Sequence, residues 1–519
     1  MTAVGEPQAR PAVEGAWLLA ATFVVAVAGL VYELIAGAVA SYLLGDSITQ
    51  FSLVIGVFMS AMGLGAWASR FVDELERGFV AAQVLLGLIG GFSAPAMFLA
   101  YGWLDALGPA LFGSVIAIGV LSGLEIPLIT RILQRHGALR TTLSSVLTAD
   151  YAGALAAAIL FPALIVPQLG LMAASLFFGL LNLGVAALSI WLFRDRLGWA
   201  LPALWAGALT ACLAGFVASD RLVAAADAAR FEDEVILSEA TPYQRIVVTR
   251  TGDRTRLFLD GAIQFDSFDE HRYHESLVHP AMGLASRRAR VLVLGGGDGM
   301  ALREVLRWPE VEVAVLVDLD PRMTALFRDR ADLSRLNGRS LSDPRVTVVN
   351  RDAWRFVDAG EGLFDIAILD LPDPSTFAVS KLYSREFYNR LAGRMAANGM
   401  IVTQAGSPLF ARRAFWSVER TLGAVENPYR PGATLPTLPY HAYVPSFGDW
   451  GFVLAPLGAL RGAPAAPPDP LGFWHPDLWS ALQRFPADTG PVAVETNSIL
   501  SHALVDYYEA GWARWFPNR

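Results

Sequence analysis

The stretch VLVLGGGDGM, residues 291–300, places four apolar residues directly before three glycines, an aspartate and a fourth glycine. This pattern predicts a buried strand, a tight turn and the start of a helix that ends before Pro309. Glycines in such a turn let the backbone approach a ligand closely, and the free N–H groups of the helix N-terminus favour an electron-rich group. Such a turn is as often a plain connection as a nucleoside site, so its interpretation depends on the strands that come after it in the chain.

The next predicted strands end in acidic residues. A strand at 313–317 leads into Asp318, about 20 residues beyond the glycines, where a carboxylate meets the ribose hydroxyls of a nucleoside. Strands at 346–349 and 364–369 are followed by acidic residues as well. Because ligands bind at the carboxyl edge of open α/β sheets, the sequence predicts five carboxylates at that edge: Asp298, Asp318, Asp352, Asp370 and Asp373.

Five carboxylates at one edge repel one another unless positive groups lie among them. Asp318 and Asp352 are placed for the ribose and the exocyclic amine of an adenine, which leaves the other three for cationic groups. Asp298 would disfavour the carboxylate of intact S-adenosylmethionine and would suit the decarboxylated form. The second substrate would be an amine, from which Asp370 removes a proton as general base while Asp373 holds it in line. The leaving thioether is neutral, so this reaction requires no metal.

The first 220 residues have a different character. The chain is 54% hydrophobic, and long uncharged runs are concentrated before residue 220. Each run is close to the ~20 residues that span a bilayer, and no cleavage-site pattern follows the first, which makes it an anchor. The sequence therefore predicts about seven transmembrane helices, at 17–44, 50–69, 79–101, 107–130, 147–167, 170–193 and 198–219.

Basic residues lie in alternate connections between these runs, and the connections at 45–49, 102–108 and 167–170 have none. The positive-inside rule makes the basic set cytoplasmic. Seven spans would then place everything after Asp220 outside, whereas a domain that uses a metabolic nucleoside cofactor is expected in the cytoplasm. We predict a multi-pass protein of the cell (inner) membrane, with conflicting indications for the side of the catalytic domain. The basic set is Arg70, Arg77, Arg131, Arg135, Arg140, Arg194 and Arg196.

Three carboxylates lie inside the apolar runs: Glu33, Glu125 and Asp150. Ionisable groups at membrane depth are costly and usually face a bundle interior or a polar path. They either lie near helix ends and pair internally, or mark a cation pathway in which Pro127 breaks its helix.

Charged residues return after Arg221. Segments 235–238, 244–250 and 255–260, with a turn at 251–253, predict a small antiparallel unit. Segment 269–280 is helical in spacing; its Tyr and His residues would more often pack or face solvent than catalyse. The predicted fold is an α-helical transmembrane bundle followed by an α/β Rossmann-like, S-adenosylmethionine-type catalytic domain with a small N-terminal antiparallel β unit. The predicted domains are a multi-span domain at 1–220, a connector and β subdomain at 221–284, the Rossmann-like domain at 285–460, and a Pro-rich linker with a C-terminal cap at 461–519.

Residues 235–455 resemble the polyamine aminopropyltransferase family, spermidine synthases above all, and the first half resembles the multi-span segment of its membrane-fused members. The matching motifs are YQ at 243–244, LDGAIQ at 259–264, DE at 269–270, YHE at 273–275, GGGDG at 295–299, LREV at 302–305, VDLD at 317–320 and DLPDP at 370–374. The resemblance implies decarboxylated S-adenosylmethionine as co-substrate, a diamine such as putrescine as acceptor, and a homodimer. It implies cofactor contacts at Gln244, Gln264, Gly295, Gly297, Asp298, Asp318 and Asp352, an amine site at Tyr273, His274 and Asp373, and Asp370 as the catalytic acid/base.

The chain departs from the family pattern mainly around the amine. Soluble members usually carry Glu where this chain has Asp318, and small polar residues where it has Leu371 and Pro372. The loop at 375–383 lacks the usual Gly and Pro, and Phe447 stands where a tyrosine is expected.

Two other functions stay open. One is an amine methyltransferase that uses intact S-adenosylmethionine, and the other is a polyamine transporter or sensor whose α/β domain binds without turnover. The net charge of −8 argues against a nucleic-acid partner. The single cysteine, Cys212, excludes an intrachain disulfide and a thiolate metal site.

Overall fold

The computed structural model describes residues 9–44, 47–104, 107–135, 139–360, 362–460 and 462–516. The predicted connections at 45–49 and 102–108 and the ends of the predicted tail at 461–519 lie partly outside these residues. The chain forms two compact units, Met1–Thr249 and Arg250–Arg519. The sequence predicts a first boundary at residue 220, and the boundaries it predicts stay predictions.

The N-terminal part of the first unit is helical. Among the described residues, six helical stretches are long and apolar enough to cross a membrane, where the sequence predicts about seven. The predicted runs at 147–167 and 170–193 fall in one stretch, Leu139–Leu192, that is bent at Gly170 (φ 68°) rather than interrupted by a loop. The helices are Ala9–Leu44, Ser47–Ala68, Leu75–Gly91, Ser93–Leu104, Leu107–Leu133, Leu139–Leu160, Val166–Leu192, Ala200–Val217 and Ser219–Arg230, with a π-helical turn at Phe161–Ile165.

Glycines allow these helices to approach closely. A Cβ atom at Gly65 would lie 2.0 Å from the carbonyl oxygen of Val120, and one at Gly123 would lie 2.1 Å from that of Met62. Small residues at helix contacts are typical of membrane bundles, where close backbone packing stabilises association.

The three carboxylates inside the apolar helices differ in burial. Glu125 is buried and accepts a hydrogen bond of 2.5 Å from Gln83, whereas Glu33 and Asp150 are half-buried. The predicted break at Pro127 is wrong, because the helix continues through it to Leu133. Neighbouring helices can satisfy the backbone groups that such a proline frees.

Four short strands follow the helices: β1 (Glu234–Ala240), β2 (Arg245–Thr251), β3 (Arg254–Leu259) and β4 (Ala262–Asp266). Strands β3 and β4 pair antiparallel, with an irregularity between Leu257 and Phe258.

The second unit is built on a mixed seven-stranded sheet. Its strands are β5 (Arg290–Gly295), β6 (Val313–Asp318), β7 (Val346–Asn350), β8 (Phe364–Asp370), β9 (Met395–Gln404), β10 (Leu438–Val444) and β11 (Gly448–Pro456). They lie in the order β10-β11-β9-β8-β5-β6-β7. Strands β5 to β9 pair parallel where they adjoin, whereas β10 and β11 add antiparallel at one side. The buried apolar runs of β5 and β8 are typical of a parallel sheet covered on both faces.

Helices cover this sheet, and the tail packs with them. Leu504 of the tail is fully buried in the same core as Leu292, Ile401 and Phe415. The longer helices of the unit are Glu270–Leu284, Met300–Leu306, Pro321–Asp329, Ala331–Leu336, Ala353–Ala359, Arg385–Ala392, Arg412–Gly423 and Ala503–Trp515, and shorter ones lie at Phe377–Ser380 and Trp479–Leu482.

The strand register brings the predicted site to one edge. Gly295, the last residue of β5, pairs with Asp370, the last residue of β8. On the other side of β5, Asp318 ends β6 and pairs with Asn350 of β7. The glycine turn therefore lies between two strands that each end in an aspartate.

Candidate active site

The glycine turn is shaped for close approach. Gly295 and Gly296 have φ of 82° and 65°, which favour glycine. A Cβ atom at Gly295 would lie 2.1 Å from the carbonyl oxygen of Asp370, and one at Gly297 would lie 2.6 Å from an Asp318 carboxylate oxygen. Side chains at these positions would therefore displace both neighbouring aspartates.

Asp318 is bound to the same turn. One of its carboxylate oxygens accepts from the N–H of Gly297 at 3.0 Å, and the other accepts from the N–H of Asp320 at 2.8 Å. Burial raises the pKa of Asp318 to about 6, against the lowering effect of these two backbone N–H groups. A half-buried carboxylate beside a glycine turn is suited to accept hydrogen bonds from a ribose.

Asp298 lies within the turn and is buried. Its carboxylate accepts from the N–H of Met300 at 2.9 Å. Burial raises the pKa of Asp298 to about 6; the His274 cation lowers it, and Asp370 raises it further. A buried acid with a perturbed pKa in such a turn is typical of a functional site, and its charge favours a cationic ligand.

Asp352 has partners that the sequence did not indicate. It caps the helix Ala353–Ala359 by accepting from the N–H of Arg355 at 3.0 Å, and its other oxygen lies 3.1 Å from the Lys381 ammonium. Burial alone would raise the pKa of Asp352, but the Arg355 N–H and Lys381 hold it below its usual value. Of the five predicted carboxylates, this one is ion-paired with a nearby lysine.

Asp370 receives a hydrogen bond of 2.7 Å from the hydroxyl of Tyr273. Burial raises the pKa of Asp370, and the His274 cation and the Tyr273 hydroxyl oppose that rise. The Tyr273 ring is itself buried against Phe447 and Phe452, with centroid distances of 5.8 and 5.4 Å. Tyr273 thus holds Asp370 in one orientation.

His274 supplies the positive charge beside these acids. Its Nδ1 lies 2.7 Å from a Glu270 carboxylate oxygen, which also accepts from Arg303 at 2.9 Å. Burial lowers the pKa of His274, but Glu270 outweighs that effect and raises it to about 9, with smaller contributions from Asp298 and Asp370. His274 is therefore a cation at neutral pH and partly offsets the repulsion between the carboxylates of Asp298 and Asp370.

The loop between the paired aspartates is fixed through its carbonyl groups. Gln404, at the end of β9, donates to the carbonyl of Leu371 at 2.8 Å and to the hydroxyl of Tyr383 at 2.6 Å. Tyr383 in turn donates to the carbonyl of Pro372 at 3.0 Å. These contacts set the positions of Asp370 and Asp373, and neither Gln404 nor Tyr383 carried a sequence signal.

Asp373 is held by two side chains from distant parts of the unit. The hydroxyl of Tyr508, on the tail helix Ala503–Trp515, donates to it at 2.7 Å. The Gln404 amide lies 3.4 Å from its other oxygen. The sequence assigned no function to the tail, so Tyr508 was missed.

The two predicted glutamines lie earlier in the chain than the residues of this cluster. Gln244 belongs to the first unit, where its carbonyl accepts from Thr241. Gln264, on β4, is half-exposed and lies 3.3 Å from the carbonyl of Ala262. Their cofactor contacts stay predictions.

The cluster combines a glycine turn, the half-buried carboxylate of Asp318, two further acids beside a histidine cation, and a tyrosine that orients one of them. Such a set can bind a cationic nucleoside and take a proton from a second cation. In the described part of the chain, no group of three or more His, Cys, Asp or Glu residues is arranged to hold a metal ion.

Comparison with known proteins gives a consistent result. A family model described as the spermine/spermidine synthase domain matches residues 270–452. "Polyamine aminopropyltransferase 2" of Ralstonia nicotianae is 48% identical over 513 residues, which cover 96% of this chain and 98% of that protein. "Polyamine aminopropyltransferase" of Leptospira interrogans is 43% identical over 500 residues, which cover 96% and 99%.

A solved structure is also similar. It is a spermidine synthase in complex with the transition-state analogue AdoDATO, and it aligns with 49% of this chain and 86% of its own at 25% identity and a TM-score of 0.44.

Proposed function

This chain belongs to the polyamine aminopropyltransferase family, and we propose that it transfers the aminopropyl group of decarboxylated S-adenosylmethionine to a diamine such as putrescine. The products would be spermidine and methylthioadenosine. The observation that carries this proposal is the pair of acids beside the glycine turn, the buried Asp298 and the half-buried Asp370 at the end of β8. Both suit substrates that are positively charged.

The donor fits the turn and Asp318. The glycines leave room for a nucleoside against the backbone, and Asp318 offers carboxylate oxygens at the end of β6. Asp298 favours the donor's ammonium, and it would repel the carboxylate that intact S-adenosylmethionine carries. We assign Asp352, which is also paired with Lys381, as the hydrogen-bond acceptor for the adenine amine.

The acceptor must lose a proton before it can react. Asp370 takes that proton from the ammonium, and the free amine attacks the carbon bonded to the sulfonium. The new C–N bond forms as the C–S bond breaks, and the electron pair of that bond leaves with sulfur as a neutral thioether. The raised pKa of Asp370 brings the base closer to the working pH, which favours proton transfer. Asp373, with Tyr273 and His274 nearby, positions the amine.

Incubation of the purified chain with putrescine and decarboxylated S-adenosylmethionine tests this reaction. We expect release of methylthioadenosine together with spermidine. Tighter binding of intact S-adenosylmethionine, measured by calorimetry, would favour the methyltransferase. Polyamine binding with no methylthioadenosine would favour the transporter or sensor.

We further propose that the helical part anchors the chain in a bilayer. The stretch Leu139–Leu192 would be about 80 Å long as one straight helix, more than twice the ~30 Å hydrocarbon core. Arg135, before this stretch, and Arg196, after it, both donate to the Glu76 carboxylate, the latter at 2.6 Å. Both ends of the stretch therefore lie near one face of the bundle, which supports two crossings.

The arginine-rich face around Glu76 is the cytoplasmic one by the positive-inside rule. The Arg245 guanidinium lies 6.0 Å from the ring of Phe98, at the far end of the stretch Leu75–Ala100 that begins beside Glu76. This contact supports an exit of the chain on the opposite face. A donor made by cytoplasmic metabolism instead requires the catalytic domain inside, which is the opposite side of the membrane.

Labelling of intact cells with an impermeant maleimide distinguishes a cytoplasmic from an external catalytic domain. Asp253→Cys introduces a thiol at an exposed turn, and Asp195→Cys introduces one on the arginine-rich face, where the native side chain is 93% exposed. The native Cys212 is fully buried. A cytoplasmic catalytic domain predicts labelling of Asp253→Cys only after permeabilisation; an external one predicts labelling in intact cells.

We also propose a homodimer, which is common in the family. Light scattering of the protein in detergent, corrected for bound detergent, should give twice the chain mass of 55.9 kDa. A single chain mass would contradict it.

A further inference from the structure

The tail beyond the matched domain runs along the loop that follows Asp373. The family match ends at residue 452, whereas the tail segment 497–508 contacts this loop at two places and Asp373 at a third. Asn497 donates to the carbonyl of Ser380 at 2.9 Å, and the ring of His502 lies 4.7 Å from that of Phe377. The hydroxyl of Tyr508 donates to the Asp373 carboxylate, which is the third contact.

This segment is firmly held in the second unit. Asn497 is fully buried, and its N–H donates to the Thr421 hydroxyl at 2.8 Å. Trp512 packs on Phe410 with a centroid distance of 5.0 Å, one helical turn beyond Tyr508. The position of the Tyr508 hydroxyl is therefore set by packing on both sides.

A second anchor lies further back along the tail. The Glu275 carboxylate accepts from three consecutive N–H groups, those of Gly472, Phe473 and Trp474, at 2.7–2.8 Å. Glu275 follows His274 directly in the helix Glu270–Leu284. One helix thus carries Tyr273 and His274 into the site and binds the tail through the next residue.

The chemistry at Asp373 resembles that at Asp370. Each carboxylate accepts a 2.7 Å hydrogen bond from a tyrosine hydroxyl, Tyr273 at Asp370 and Tyr508 at Asp373. A tyrosine hydroxyl donates one hydrogen and can also accept, so a phenol beside Asp373 can orient the acid and accept from an ammonium. Phe447, which packs on Tyr273, has no hydroxyl to offer.

We propose that Tyr508 is a specificity-determining residue of the acceptor-amine site. It fixes the orientation of Asp373 and gives the acceptor's ammonium a second oxygen. The proposal rests on the proposed aminopropyl transfer, and it assigns to the tail a part of the site that lies outside the matched domain.

The test compares Tyr508→Phe with Tyr507→Phe. Tyr507 lies on the same helix, where its hydroxyl accepts from the N–H of Glu495 and its ring packs under Arg413, so its replacement is a matched loss of one hydroxyl. Steady-state kinetics would vary putrescine and the donor separately, and thermal melting would check folding. A hydrogen bond to a charged group contributes about 1.5–3 kcal/mol, so its loss corresponds to roughly a tenfold effect or more.

We expect Tyr508→Phe to raise KM for putrescine about tenfold or more while KM for the donor changes less than about twofold. Tyr507→Phe should leave both constants within about twofold of the parent protein. An unchanged or lower KM for putrescine in Tyr508→Phe, with parental melting, would overturn the proposal. Equal rises in both KM values would show a structural role only and would also overturn it. Absence of methylthioadenosine release by the parent protein with any diamine would instead refute the proposed function.

Discussion

The proposed donor side and the proposed acceptor side of the candidate site are built in different ways. The donor side, Gly295–Gly299 with Asp318, is formed by two adjacent strands, and its central contact joins residues 21 positions apart. The acceptor side, Asp370 and Asp373, is held by Tyr273 and Tyr508, which lie 97 and 135 positions away. One side is thus set by local chain geometry and the other by tertiary contacts, which lets substitutions affect the two substrates separately.

The largest effect is expected at the proposed general base, Asp370. Asp370→Asn keeps the shape of the side chain but removes the base, so we expect turnover to fall about a thousandfold. Donor affinity, measured by calorimetry, should change little. Asp358→Asn, on an exposed residue that pairs with Arg390, removes the same charge away from the site and should keep parental turnover. Retained turnover in Asp370→Asn would remove this residue from the base role.

A donor-side change should act on the donor alone. In the proposed donor site the Asp318 carboxylate accepts from the ribose, and Asp318→Asn replaces this charged acceptor with a neutral one. We therefore expect donor KM to rise roughly 10- to 100-fold. The KM for putrescine should stay within about twofold. Tyr508→Phe is expected to raise mainly the KM for putrescine, so the two variants should have opposite effects. Similar rises of both KM values in Asp318→Asn would show that the two sides do not act separately.

Donor affinity should also depend on pH. The pKa values of Asp298 and Asp318 are both about 6, and a cationic donor binds the ionised forms. Affinity should therefore fall as pH decreases through 6, by about tenfold between pH 7 and pH 5 for each carboxylate that must be ionised. Calorimetry across this range measures it, and Asp318→Asn should show a shallower dependence. A flat profile would contradict the assignment of both acids.

The smallest effect concerns folding. The pKa of His274 is raised from 6.5 to about 9, so the stability from its charged bond with Glu270 is fully present below pH 6.5 and is lost as pH rises through 9. We expect the melting temperature of the second unit to fall by a few degrees between pH 8 and pH 10. Glu270→Gln should reduce this pH dependence, and an equal dependence in that variant would assign it to other groups.

The contrast between local geometry and tertiary contacts also explains which parts of the site can be predicted from the sequence. The glycine turn, Asp298 and Asp318 follow from strand ends and spacing, which are local properties of the chain. Other contacts of the site join separate elements, which come together only when the core packs. They are those of Lys381 with Asp352, and of Gln404 and Tyr508 with Asp373. The helix through Pro127 and the continuous stretch at 139–192 show the same limit, because neighbouring helices allow a proline or a bend without a break.

The hydrogen bond between Asp373 and Tyr508 also sets an order of assembly on the ribosome. At roughly 5–20 residues per second, the 135 positions between them take roughly 7–27 s to synthesise. During that interval the glycine turn and Asp318 have already been made, while the amine pocket still lacks its second phenol. A nascent chain would thus contain the residues of the proposed nucleoside site before the proposed amine site is complete.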